Sequence, residues 1–180
     1  MICWHFATDK LRDDSPLPKK GDVLTHPGEL EMCVAGFHGS VRAIDALQYA
    51  PGANVARVDM SGTVLEQHDK KCASVRTNIT DYIDAARTLH EFACWCAEQA
   101  LAGERAAGRP VDPRSEKAIE VKQLWLDGKA TDTELNATWA AARDAKKAAA
   151  WDAARDAARD AQNTELEHRL MLLFDMEVKS

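Results

Sequence analysis

The sequence predicts an α+β fold, with a small β-sheet and one short helix in residues 1–79 and a helical part in residues 80–180. Residues 1–79 hold short stretches in which apolar and polar side chains alternate, separated by Gly and Pro. Near Thr80 the apolar side chains begin to recur at every third and fourth residue, which is typical of amphipathic helices. A long tract near the C-terminus is rich in alanine, the strongest helix former.

The first part contains several short strand candidates and one helix. The candidate strands are the N-terminal stretch around Trp4, residues 23–25, 30–34, 56–60 with 63–65, and 72–79. The alternation is clearest at 56–60, which predicts one buried and one solvated face. Ser40 is a candidate N-cap for a helix that Pro51 and Gly52 end. Ser61 and Gly62 predict a turn between two of the strands.

The second part is predicted to contain helices at about 81–101, 115–127 and 132–162, with a loop at 103–113. Thr80 or Asp81 is the candidate N-cap of the first helix, and Ser115 that of the second. Residues 131–134 read Thr-Asp-Thr-Glu, a capping box that begins the long helix. The apolar side chains of residues 166–174 either continue this long helix or form a separate terminal helix at about 164–177.

Composition excludes several classes of protein. A net charge of −6 gives no support for the basic face that most nucleic-acid-binding proteins carry, so nucleic acid is an unlikely partner. No stretch approaches the roughly 20 apolar residues that a membrane span needs. The N-terminus lacks the pattern of a signal peptide, so the sequence predicts a cytoplasmic protein. The five cysteines form no C-x-x-C pair, which favours free thiols in a reducing compartment.

The long helix contains the repeat Ala-Ala-x-Asp, which predicts a stripe of small side chains. A repeat of four residues drifts by about 40° per repeat, so this stripe winds around the helix and permits close approach of another helix. The side chains expected to bind a partner are Trp139, Arg143, Trp151, Arg155 and Arg159. Alternatively, the helix is solvated and docks on the first part of the chain through Trp139 and Trp151.

One cluster could carry chemistry. Residues 36–40 read Gly-Phe-His-Gly-Ser and precede a helix, which resembles the start of the ADP-ribosyltransferase fold. That resemblance implies that His38 holds the ribose of NAD, Tyr49 stacks on nicotinamide, and Glu66 is the acid that orients the ribose. In the alternative interpretation the cluster is a strand-to-helix junction, in which Gly39 permits the bend and His38 is partly buried and hydrogen-bonded.

Other candidate sites are weaker, and the sequence predicts neither a metal nor a cofactor. Cys3, His5, Cys33 and His38 carry zinc-type ligand atoms, but their spacing matches no known zinc knuckle. The charged residues between Asp69 and Asp81, among them Arg76, predict a solvated edge.

Motifs along most of the chain together resemble an uncharacterised family of phage and prophage proteins. These motifs lie at residues 36–40, 45–52, 57–62, 69–70 and 125–135, and in the Ala-Ala-x-Asp tail that ends at Gln162. The resemblance implies a phage-encoded protein in the cytoplasm of a bacterial host.

These observations favour a non-enzymatic protein that binds a bacterial host or phage protein. Within that role, we expect an inhibitor of a host defence system such as CRISPR. The first alternative is an ADP-ribosyltransferase-like enzyme that uses NAD. The second is a structural or assembly protein that self-associates through its long helix and therefore forms a homo-oligomer.

Overall fold

The structure, a computed structural model, describes residues 1–143 and 153–179, in which it has six strands and five helices. In chain order these are β1 (Ile2–Ala7), β2 (Val23–Thr25), β3 (Phe37–Gly39), α1 (Ala43–Gln48), β4 (Asn54–Glu66), β5 (Lys71–Asn78), β6 (Ile83–Asp84), α2 (Ala86–Ala106), α3 (Pro113–Leu126), α4 (Asp132–Arg143) and α5 (Ala153–Lys179). The predicted α+β class, with strands first and helices after them, is confirmed. Between Arg143 and Ala153 the predicted long helix lies outside the described residues.

All six strands form one antiparallel sheet. Its main order is β1-β4-β5-β2, while β3 pairs with β5 and β6 pairs with β4. The alternation predicted for β4 is confirmed, because Ala56, Val58 and Met60 are buried while Arg57 and Asp59 are only half-buried. The side chains of Cys3, Ala56, Val58, Met60 and Ala73 form a core cluster.

The turn predicted at Ser61 and Gly62 is wrong, because β4 continues through both residues. The pairing of β4 with β5 shifts register between Ser61 and Val64, which is a β-bulge, and then continues to the Glu66–Lys71 pair. Gly62 has a φ of 73°, a left-handed conformation that glycine adopts readily. The glycine therefore serves a bulge within one long strand.

Two further predictions near residues 30–42 are wrong. Residues 30–34 form no strand, and their only pairing is an isolated bridge between Glu31 and Ala35. Ser40 caps no helix, because its backbone N–H and carbonyl exchange hydrogen bonds with Trp4 and so extend the sheet. The α1 helix begins after Arg42, which makes no side-chain capping hydrogen bond.

Two helices begin at other residues than predicted, because other contacts are made at the predicted starts. The first long helix, α2, begins at Ala86 because Ile83 pairs with Val55 in the sheet, and Asp84 then accepts a hydrogen bond from the Ala86 N–H. The N-cap of α3 is Asp112 instead of Ser115. The capping box is confirmed: the Thr131 N–H donates to the Glu134 carboxylate over 2.8 Å, and the Glu134 N–H donates to the Thr131 hydroxyl over 3.3 Å.

The chain divides into two compact units that differ from the predicted division at residue 79. Unit 1 comprises Met1–Ala86 together with Asn163–Ser180, and unit 2 comprises Arg87–Gln162. A separate terminal helix beginning at residue 164 is not observed, because α5 runs through this point from Ala153 to Lys179. No Gly or Pro interrupts the helical pattern there. Within unit 1, Leu166, Leu170 and Phe174 of α5 are buried.

Unit 2 is helical. Its α3 and α4 helices pack against each other, and the Trp125 indole N–H donates to the Asp132 carboxylate over 2.7 Å. The Lys122 ammonium lies 3.9 Å from the centre of the Trp125 ring, and His90 meets the same ring edge-on. Within the described residues, no helix is both long and apolar enough to cross a membrane.

Candidate functional site

A pocket of about 840 Å³ opens in unit 1 beside β1, β3 and the loop that follows β1. Its lining carries more positive than negative charge. Lys10, Arg12, Lys70 and Arg76 contribute four cations, while Asp13 is the one carboxylate among the lining residues. This excess is local, because the whole chain carries a net charge of −6.

Arg76 is the cation that the fold buries most completely. It lies on β5, paired with Leu24 of β2 and Met60 of β4, and only 2% of its surface is exposed. Its Nε and Nη2 atoms are buried without a hydrogen-bond partner among the described residues. These two nitrogens form the edge of the guanidinium that recognises carboxylates and phosphates bidentately.

Nothing in the described structure neutralises the Arg76 charge by direct contact. Its guanidinium carbon lies 5.3 Å from the centre of the Phe37 ring, a weak cation–π contact. Burial lowers the pKa of Arg76, and the more distant charges of Tyr82 and Asp13 oppose that effect. A buried guanidinium in this environment is costly for the free protein.

His5 contributes a neutral imidazole to the pocket lining. Burial is the main cause that lowers the pKa of His5 to about 3, and the nearby charges of Arg76 and His38 act in the same direction. The His5 Nδ1 atom lies 2.6 Å from the Tyr82 hydroxyl, which fixes the ring. At neutral pH this side chain can exchange hydrogen bonds with a ligand without adding positive charge.

His38 is surrounded by the cations of the pocket. Burial is the largest cause that lowers its pKa, followed by the charges of Lys70 and Arg12, with a smaller effect of Arg76. Its Nε2 atom accepts a hydrogen bond from the Cys33 N–H over 2.9 Å. One ring nitrogen of His38 is therefore hydrogen-bonded to the loop that precedes β3, as the strand-to-helix interpretation expects.

Of the three residues that the transferase resemblance implies, the pocket brings two together. His38 and Tyr49 both line it, and the Tyr49 hydroxyl donates to the Asp69 carboxylate while Lys70 lies over the Tyr49 ring. That hydrogen bond to Asp69 is the main cause that raises the pKa of Tyr49. Glu66 is not among the lining residues and forms an ion pair with Lys71 at 3.0 Å.

The predicted partner-binding residues lie largely beyond what the structure describes. Trp151 is outside the described residues. Trp139 and Arg143 belong to α4 and Arg155 to α5, but the described structure does not include their side chains. Arg159 is half-buried in α5 and is the one member whose side chain is described. The stripe of small side chains on residues 141–160 is therefore still a prediction.

Sequence reasoning missed the residues that give the pocket its charge. Arg76 was expected at a solvated edge, and that expectation is wrong because the side chain is buried. The spacing along β5 was one available signal. Arg76 is separated from Cys72 and Asn78 by an even number of positions, so all three side chains lie on the same face of the strand, and Cys72 and Asn78 are buried. Lys70 belongs to the same charged stretch as Arg76, whereas Arg12 lies far from both in the sequence, so no local pattern could have joined it to them.

The zinc-type residues form no metal site. In the part of the chain that the structure describes, no three His, Cys, Asp or Glu side chains are placed to hold a metal ion. None of the five cysteines, all of which the structure describes, forms a disulfide, and Cys33 is the exposed one.

Comparison with known proteins places the pocket in the part of the chain that has relatives. A family model described as a domain of unknown function, DUF7666, matches residues 1–91. No curated protein and no solved structure matches the chain. The matched residues include every residue that lines the pocket.

Proposed function

We propose, from the premise that the chain belongs to the DUF7666 family, that unit 1 is a binding domain for a small organic anion. The observation that carries the proposal is Arg76, a buried cation that lines the pocket and whose Nε and Nη2 atoms have no hydrogen-bond partner among the described residues. An anion in the pocket would lie beside this guanidinium and neutralise its charge. The protein then acts by binding, with no catalytic step required.

Binding of an anion can compensate for the free-energy cost of burying the Arg76 charge. A charge buried without a partner destabilises the free protein by several kcal/mol in typical cases. Charge-assisted hydrogen bonds to a bidentate anion are among the strongest polar contacts in proteins, and they would offset this cost in the complex. An anion bound beside Arg76 would therefore reduce the cost of burying this charge.

The positive electrostatic potential of the pocket also favours a small anion as the ligand. Lys10 and Arg12 are exposed at its rim, so they can attract an anion before it reaches Arg76. The Arg12 Nη1 atom donates to the Cys33 carbonyl over 3.3 Å, which connects this rim cation to the loop that precedes β3 and His38. A cationic pocket on an acidic chain selects small anions over large polyanions, because the rest of the surface repels the latter.

The test is calorimetric titration of the whole chain with citrate, inorganic phosphate, pyrophosphate and AMP. We expect at least one anion to bind, and the double variant Arg12→Gln, Lys70→Gln to weaken its binding at least tenfold. The matched control is Lys19→Gln, Lys71→Gln, which removes two neighbouring cations that do not line the pocket. If none of the anions binds, or if both double variants weaken binding equally, the proposal is wrong.

We retain the transferase-like activity as a second candidate, because His38 and Tyr49 share one pocket. The position of Glu66 outside that pocket argues against it. Millimolar NAD should raise the midpoint of thermal unfolding if NAD binds the folded chain, and Tyr49→Ala should remove the effect. An unchanged midpoint with NAD would exclude this candidate.

The protein-binding role remains a sequence-based proposal. Its support is the Ala-Ala-x-Asp repeat, together with the setting that the phage-family resemblance implies: a phage-encoded inhibitor of host defence in the bacterial cytoplasm. Affinity capture of the tagged chain from bacterial lysate should recover a stoichiometric protein partner. Recovery of the tagged chain alone would contradict this role, and light scattering that shows a monomer at all concentrations would contradict self-association.

A further inference from the structure

We infer that the ligand of the unit 1 pocket is an organic phosphate that carries at least two negative charges and an apolar body, as a nucleotide does. The inference rests on the proposed function and names the chemical class of the anion. Three properties of the pocket support it: the number of its charges, the segments of the chain that supply them, and the space that a bare anion would leave.

The number of charges favours a ligand with more than one negative charge. Four cations and one carboxylate line the pocket, and Asp13 is already engaged by the N–H and hydroxyl of Ser15. A monocarboxylate would neutralise one cation and leave the others in mutual repulsion. A phosphate monoester carries about −1.5 to −2 near neutral pH, and a diphosphate carries more, so either one matches the lining better.

The segments that supply the charges favour a group with several acceptor oxygens. Arg12 lies in the loop after β1, Lys70 directly precedes β5 and Arg76 lies on β5, and all three line the pocket. A ligand in the pocket therefore meets cations from more than one segment of the chain. A planar carboxylate offers two oxygens in one plane, whereas a terminal phosphate offers three acceptor oxygens pointing in different directions.

The remaining space favours an organic body. A pocket of about 840 Å³ is within the range of sites for small organic ligands, and a phosphate group alone would fill a small part of it. Leu11, Val34, Phe37 and Pro51 also line it, and the Val34 side chain is 66% exposed. An apolar or planar body would cover these side chains, which a bare anion would leave in water.

The test is calorimetric titration of the whole chain with AMP and ADP, and with the parts adenosine, inorganic phosphate and pyrophosphate. We expect AMP or ADP to bind at least tenfold more tightly than any of the parts. Val34→Ser should weaken nucleotide binding several-fold and leave pyrophosphate binding unchanged. The matched control is Val23→Ser, at an exposed valine that does not line the pocket.

The outcomes separate this inference from the proposed function. If citrate or pyrophosphate binds with the expected dependence on Arg12 and Lys70 but nucleotides bind no better, the inference is wrong and the proposed function stands. If nucleotides bind and Arg12→Gln, Lys70→Gln does not weaken them, both are wrong. Equal weakening of nucleotide and pyrophosphate by Val34→Ser also contradicts the apolar part of the inference.

Discussion

Arg76 is a residue whose burial should lower the stability of the free protein, and to which we assign a binding role. Its position on β5 is an inward one, and the fold offers its Nε and Nη2 atoms no partner among the described residues. Burial alone would favour an apolar side chain at this position, which is the reason for proposing a ligand-binding role for Arg76.

Replacing Arg76 with methionine should therefore separate the effect of this residue on stability from its effect on anion binding. We expect Arg76→Met to leave the free energy of unfolding unchanged or to raise it by about 1–2 kcal/mol, because an unpaired buried charge is removed. Anion binding should be lost. Chemical denaturation measures the first quantity and calorimetry the second, and a loss of stability larger than about 2 kcal/mol would show that the guanidinium has a structural role.

His5 gives a second prediction at this scale, on the pH dependence of stability. The pKa of His5 is about 3 in the folded chain, against an ordinary value of 6.5. Between these values the unfolded chain takes up a proton that folded His5 does not. The free energy of unfolding should therefore fall as the pH falls below 6.5, by up to about 1.4 kcal/mol per pH unit from this residue.

The measurement compares the wild type with His5→Gln, which keeps a polar group near Tyr82. Denaturation curves at pH 7, 6, 5 and 4 should show a smaller loss of stability for the variant. The comparison is one of slopes, so an overall loss of stability in the variant does not affect it. Equal slopes for the two proteins would contradict the low pKa of His5.

At the scale of elements, α1 depends on a distant part of the chain for its N-terminal cap. Arg42 supplies no side-chain cap to α1. Instead, the Ala43 N–H donates to the Glu167 carboxylate and the Ile44 N–H donates to the Asn163 side-chain oxygen, each over 3.1 Å. A short helix with unsatisfied N–H groups is thus completed by α5.

Removing one of these contacts should destabilise unit 1. We expect Asn163→Ala to lower the free energy of unfolding by about 1 kcal/mol, the usual cost of losing a side-chain cap. Glu165→Gln is the control on the same helix, because Glu165 pairs with Arg169 on α5 and caps nothing in α1. Thermal or chemical denaturation should show a clearly larger loss for Asn163→Ala, and losses of equal size would contradict the capping role.

At the scale of the whole molecule, unit 1 is built from the two ends of the chain. The family match covers residues 1–91, yet unit 1 also includes Asn163–Ser180. Within this unit Glu167 also accepts a hydrogen bond from the Trp4 indole N–H, and Phe174 lies 6.3 Å from the Trp4 ring. Because Trp4 lines the pocket, the end of α5 supports the site as well as the core.

Substitutions on the two faces of α5 test this arrangement. We expect Leu166→Ala or Leu170→Ala to lower the free energy of unfolding by about 2–5 kcal/mol, since both side chains are fully buried. Met171→Ala is the control, because its side chain is 46% exposed, and it should cost well under 1 kcal/mol. Similar small losses for all three variants would show that α5 is not part of the folded core.

Much of the secondary structure could be predicted from the sequence, because the patterns that indicate it involve neighbouring residues. The alternation in β4, the capping box of Thr131 and Glu134, and the order of strands before helices needed only neighbouring residues. The errors came where a distant pairing overrode a local preference. Gly62 lies in a bulge and not in a turn, because β4 pairs with β5 on both sides of it. Ile83 lies in a strand and not in a helix, because it pairs with Val55.

The sequence by itself determined the class of fold, the positions of most elements, and the presence of His38 before a short helix and of Tyr49 at the end of that helix. Only the tertiary structure decided that the end of α5 joins the sheet, and that Arg12, Lys70 and Arg76 meet around one pocket. Charge at a point in space depends on which residues the fold brings together. Arg12 and Arg76 are 64 positions apart in the sequence, so no local pattern can indicate that they are close in space. Their distance depends on how the strands pair and not on their separation along the chain.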